Sequence, residues 1–138
     1  MDTSPKYIKM CEKAEELQKM YLIGEYPHDE TIKDFLACKK HKSLIVWTGD
    51  QFDCGLFGAD KNYVIWLPRQ DQLQAIILEK HPTWDWLHLL SQACCSGSVI
   101  PCGWIDSGEK YWFAFAMREK YHKVWDTQKE EWCPINPT

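Results

Sequence analysis

The stretch at residues 63–74 reads YVIWLPRQDQLQ. Its first five residues form a short apolar run bounded by turn residues, which is typical of a buried strand. The run ends at Pro68, whose fixed φ suits the first position of a helix, and Asp71 falls in the first turn, where the helix dipole favours negative charge. Apolar residues then recur at helical spacing as Leu73, Ile76 and Ile77. The stretch therefore predicts a strand over 63–67 and a helix that begins at Pro68 and ends at His81-Pro82.

Upstream of this stretch, residues 4–22 predict one continuous helix. Ser4 is a suitable N-cap and Pro5 suits the first helical position. The apolar residues at spacings of three and four are Tyr7, Met10, Cys11, Ala14, Leu17 and Tyr21. Residues 25–42 predict a second, shorter helix that Asp29 caps, with Ile32, Phe35 and Leu36 facing inward and a basic cluster at its C-terminus.

Between these helices and Pro68, the pattern changes to strands at 44–47, 51–57 and 63–67, separated by turn-forming residues. No crossover helix lies between them, so we expect a small antiparallel meander and not a parallel sheet. Beyond His81, Thr83 is expected to cap a helix that ends at Gly97. Its predicted buried face consists of Trp86, Leu87, Leu90, Ala93 and Cys94.

The segment 109–125 is compatible with either a helix or a strand, because a short apolar run does not fix its own period. Helix-forming alanines and a candidate cap at Ser107 favour the helix. The tail from residue 127 is expected to be irregular. Together these elements predict an α+β fold for residues 1–138, a single domain in which four to five helices pack on an antiparallel sheet of about three strands.

Composition excludes several functional classes. Hydrophobic residues make up 45% and charged residues 26% of the 138, as in globular domains and unlike disordered chains. The net charge of −4 provides no general basic field for nucleic acid or an anionic membrane. We also expect neither a membrane span nor a signal peptide, and seven cysteines, an odd number, favour reduced thiols. These features predict a cytoplasmic protein.

The cysteines and histidines provide only incomplete metal sites. Cys38 and His41 have a spacing that suits zinc, with Cys54 and His28 as possible further ligands, but no second pair has comparable spacing. Cys94, Cys95 and Cys102 form a weaker group. No nucleophile elbow or phosphate-binding glycine loop occurs in the sequence. We therefore expect no metal, cofactor or catalytic residue, and an enzyme with a Cys/His metal or thiol site ranks third among the functional interpretations.

Two groups of polar residues are candidate binding sites. Arg69, Gln70, Asp71 and Gln72 place a guanidinium, two amides and a carboxylate on one helical turn, which suits recognition of a protein partner, although each also suits a helix start. The second group combines basic residues with an aromatic ring, as in nucleic-acid contacts. It consists of Arg118, Lys120, Tyr121 and Lys123.

Three blocks of the chain, at residues 7–19, 64–74 and 112–126, resemble a family of small proteins common in prophages and in bacterial genomes of the Firmicutes type. Similar sequences carry a WLPRQDQLQ block before a helical pair and end in a block similar to AFVMKEKYNKVWDG. This chain departs from that pattern at Thr127, where the family has glycine, and at residues 107–110. The family has no established activity, so the resemblance implies a mobile-element origin and no catalytic residue.

These observations favour a non-enzymatic accessory protein of a phage or mobile element that binds another protein. The alternative is a nucleic-acid-associated phage protein that uses residues 118–125.

Overall fold

A computed structural model describes residues 2–27, 32, 34–40, 44–48, 51–52, 64–95 and 107–135. Among them are five helices and six strands: α1 (Pro5–Lys13), α2 (Glu15–Leu22), β1 (Phe35–Cys38), β2 (Leu44–Thr48), β3 (Gln51–Phe52), β4 (Val64–Leu67), α3 (Gln70–Lys80), α4 (Trp86–Cys95), α5 (Gly108–Tyr121), β5 (Lys123–Asp126) and β6 (Glu131–Pro134). The α+β class is confirmed. The chain divides into two compact units, one from Thr3 to Arg69 and one from Gln70 to Thr138 together with Asp2.

The first unit contains α1, α2 and an antiparallel sheet in the order β3-β2-β1-β4. This sheet has four strands where about three were predicted, because β1 replaces the helix expected over residues 25–42. Phe35 pairs with Val46 on one side and with Leu67 on the other, so β1 lies in the centre of the sheet. The predicted meander is also wrong, since β4 pairs with β1. Residues 28–31 and 53–63, which include Asp29 and Tyr63, lie outside the described residues.

The predicted N-cap of the first helix is confirmed: the Ser4 side chain accepts a hydrogen bond from the Tyr7 amide. The predicted continuity is wrong, since Ala14 leaves the helical conformation at φ −85° and ψ 74° and separates α1 from α2. At this break the Cys11 carbonyl accepts from the Ala14 amide and from the Gln18 side chain. In a continuous helix the Cys11 carbonyl would accept the backbone amide four residues later. The break lets it accept the Gln18 side chain.

The second unit is organised around α5, which packs against α3. The helix interpretation of 109–125 is confirmed as far as Tyr121, and Ser107 caps it as predicted. Lys110 is only 2% exposed, and its Nζ lies 3.6 Å from Oδ2 of Asp2. The same carboxylate oxygen accepts a 2.5 Å hydrogen bond from Ser107 Oγ. Asp2 therefore compensates a buried ammonium group near the start of α5.

Two boundaries at the ends of helices differ from the prediction. The third helix begins at Gln70 and not at Pro68, whose carbonyl instead accepts the Tyr7 hydroxyl at 2.7 Å. His122 adopts a left-handed conformation, with φ 55°, and ends α5, so the predicted helical position of Val124 is wrong.

The tail predicted to be irregular from residue 127 contains β6, which pairs with β5 in a β-hairpin. Trp125 and Trp132 face each other across it, with ring centroids 5.2 Å apart, and Trp132 stacks on Phe113 of α5 at 5.4 Å. The turn lacks glycine and places Glu130 at φ 55°. The residue types of this turn do not predict a hairpin. The hairpin is instead accompanied by packing of Trp132 on Phe113 of α5.

The hairpin should loosen in acid through Asp126. Its carboxylate accepts the Lys129 and Gln128 amides at 3.0 and 2.9 Å, and these hydrogen bonds hold the pKa of Asp126 below its usual value. A lowered pKa contributes stability that is present above the unfolded-state pKa and lost as the pH falls through the folded-state pKa. Near-ultraviolet circular dichroism of the Trp125–Trp132 pair should therefore weaken in this acid range. We expect Asp126→Asn to remove that pH dependence; an unchanged pH profile in the variant would contradict the assignment.

Candidate functional site

Arg69, the first residue of the predicted partner site, is committed to an internal ion pair. Its Nη1 lies 3.3 Å from Oδ1 of Asp34, whose side chain is 0% exposed, while the Arg69 side chain is 12% exposed. The Tyr26 hydroxyl donates to Oδ2 of the same carboxylate at 2.9 Å. A buried carboxylate requires such partners. Arg69 therefore has a structural role in the first unit.

The other three residues of that predicted site begin α3 of the second unit. Gln72 is buried, whereas Gln70 and Asp71 are exposed. The Gln70 side chain lies against Gly108, where an added Cβ would come within 2.5 Å of its Nε2. Only Gln70 and Asp71 thus present exposed side chains, and their role in partner binding stays a prediction.

An aromatic cluster surrounds the buried Asp34 in the first unit. The Tyr21 and Trp66 rings stack at 5.7 Å, and Tyr26 lies 4.8 Å from Tyr21 and 5.2 Å from Trp66, measured between centroids. Burial raises the pKa of both tyrosines well above the usual value, and the Asp34 carboxylate raises it further. Within the described part of the chain, Trp66 Nε1 is buried without a hydrogen-bond partner. The Asp34 carboxylate thus lies beside an aromatic cluster in which one buried N–H has no partner among the described residues.

The predicted nucleic-acid residues lie around the end of α5. Arg118, Lys120 and Tyr121 belong to its last turn and Lys123 begins β5, all of them partly exposed. Lys120 Nζ lies 5.7 Å from the centroid of the Tyr121 ring, within range of a cation–π interaction. Glu119 faces His81 at 3.0 Å. The four residues thus lie in the last turn of α5 and the first residue of β5. Their use for nucleic acid stays a prediction.

The predicted buried face of α4 is wrong at the two of its positions whose side chains are described. Leu87 is 74% exposed and Leu90 is 37% exposed, whereas Leu89, absent from the prediction, is fully buried. Thr83 was also the wrong cap, because the His88 amide donates to Asp85 Oδ1 at 2.7 Å. The side chains of residues 86 and 93–95 lie outside the described residues.

Close in sequence to these leucines, the half-buried Trp84 packs against two imidazole rings. It stacks on His81 at 3.8 Å with an interplanar angle of 7°, and it lies 4.9 Å from His88. His81 is in turn fixed by Glu119 of α5. We call Trp84, Leu87, His88 and Leu90 the α4 surface. Sequence spacing placed Leu87 and Leu90 on one side of α4 but did not show that this side is exposed.

The predicted thiol and metal candidates fall mostly outside the described residues. Cys11, Cys38 and Cys133 are present as thiols, and Cys11 and Cys38 are buried. The residues His28, His41, Cys54 and Cys102, and the side chains of Cys94 and Cys95, are not described. In the described parts of the chain, no three His, Cys, Asp or Glu side chains are grouped so as to hold a metal ion. None of the described helices is both long and apolar enough to cross a bilayer.

In the first unit, Gln18 of α2 binds the backbone of β4. Its Oε1 accepts from the Trp66 amide at 2.8 Å, and its Nε2 donates to the Trp66 carbonyl at 2.9 Å. A cavity of about 250 Å³ lies beside this contact, lined by Gln18, Val64, Ile65, Leu22 and four charged residues, Glu12, Glu15, Lys19 and Lys39. No spacing rule in the sequence predicts this arrangement, because Gln18 and Trp66 are 48 residues apart.

Comparisons with protein-family models, with curated proteins and with solved structures gave no match for this chain.

Proposed function

We propose that this chain is a non-enzymatic accessory protein that acts by binding another protein through the α4 surface. The observation that carries the proposal is the 74% exposure of Leu87 on a helix whose neighbouring Leu89 is fully buried. The origin in a phage or mobile element is part of the proposal and is supported by the three sequence blocks described above.

Burial of the α4 surface by a partner would be favourable. Removing a leucine side chain from water stabilises a complex by up to about 1.5–3 kcal/mol, and Leu87 retains most of its surface for such a contact. Tryptophan is enriched among the residues that dominate binding energies. Trp84 is half-buried and orientated by the rings of His81 and His88, so little side-chain entropy remains to be lost on binding.

Leu87 and Leu90 are three residues apart on α4, which matches the spacing of anchors in helix-groove recognition. We therefore propose that the partner covers them with an apolar surface. Gln70 and Asp71, exposed at the start of α3, are retained as candidates for further polar contacts in the same unit.

Site-specific photocrosslinking tests this proposal. A photoreactive amino acid at position 87 of the full chain should give one dominant adduct with another protein in cells that carry the gene. The matched control places the same group at Thr127, which is exposed in the hairpin turn of the same unit. We expect that adduct at position 87 and not at 127, and its loss when Leu90→Asp is added. The same adducts from both positions would contradict the proposal.

The nucleic-acid alternative has a separate outcome. Retention of the chain on single-stranded DNA that weakens steeply with salt, and is lost when Lys120 and Lys123 are changed to glutamine, would replace protein binding by nucleic-acid binding. We expect no such retention, in agreement with the net charge of −4.

A further inference from the structure

We draw no further inference here: the strongest candidate, the Arg118 side chain in the last turn of α5, has a buried Nη1 with no hydrogen-bond partner in the part of the chain that the structure describes, but that atom is closed off from solvent, so a ligand could not reach it.

Discussion

Replacing Arg69 by methionine should lower the free energy of unfolding by about 3–5 kcal/mol, because removing one partner of a buried ion pair leaves the other charge uncompensated. The Asp34 carboxylate is 0% exposed, and Arg69 approaches it at 3.3 Å. Methionine keeps part of the aliphatic stem, so the loss reports on the charge more than on packing. Urea denaturation followed by tryptophan fluorescence measures the change.

The control for this prediction removes both charges. Asp34→Asn combined with Arg69→Met keeps an oxygen that accepts the Tyr26 hydroxyl but leaves no buried anion. We expect the double variant to recover about 1–2 kcal/mol relative to Arg69→Met alone, within the usual range of coupling between neighbours. Strict additivity of the two single changes would show that the ion pair does not organise this core.

Gln18→Ala should destabilise the protein by about 2–4 kcal/mol. The side chain satisfies three backbone groups at once, namely the Trp66 amide, the Trp66 carbonyl and the Cys11 carbonyl. Each buried polar group left without a partner costs about 1–3 kcal/mol, and water entering beside α2 offsets part of this sum. Chemical denaturation of the wild type and the variant under identical conditions checks the value.

Gln18→Glu changes the hydrogen bonds of this side chain while nearly keeping its volume. A carboxylate still accepts from the Trp66 amide but faces two carbonyl oxygens, so the folded state should favour the protonated carboxyl and raise its pKa. The stability that this raised pKa contributes is present below the unfolded-state pKa and is lost as the pH rises through the folded-state pKa. The variant should therefore approach wild-type stability in acid. A constant difference from wild type across that range would contradict the assigned donor role of Nε2.

The sequence predicted those elements whose signals are local. The cap at Ser4, the strand β4 and the helix over residues 111–117 follow from neighbouring residue types. β1 was missed because its four apolar residues fit either period, and only pairing with two flanking strands decides between them. The break at Ala14 was missed because alanine is a strong helix former. The contact of Gln18 with Trp66 was missed because the two residues are 48 positions apart in the sequence.

In the candidate sites, too, the features that local sequence did not predict depend on tertiary packing. Residues 69–72 were identified as a polar cluster, but the buried partner of Arg69 and the burial of Gln72 depend on distant parts of the chain. The exposure of Leu87 contradicts an interpretation based on helical spacing alone, since the buried side of α4 is the one that carries Leu89. Which apolar face is buried is therefore decided by tertiary packing.

The most direct measurement of the central claim is a calorimetric titration of the purified partner captured at position 87 with the full chain and two variants. If the α4 surface binds that partner, Leu87→Glu should weaken binding at least tenfold, equivalent to about 1.4 kcal/mol, because a charge would replace an apolar contact. Thr127→Glu, the exposed control, should change the affinity less than twofold. Equal affinities of the wild type and Leu87→Glu would contradict the account.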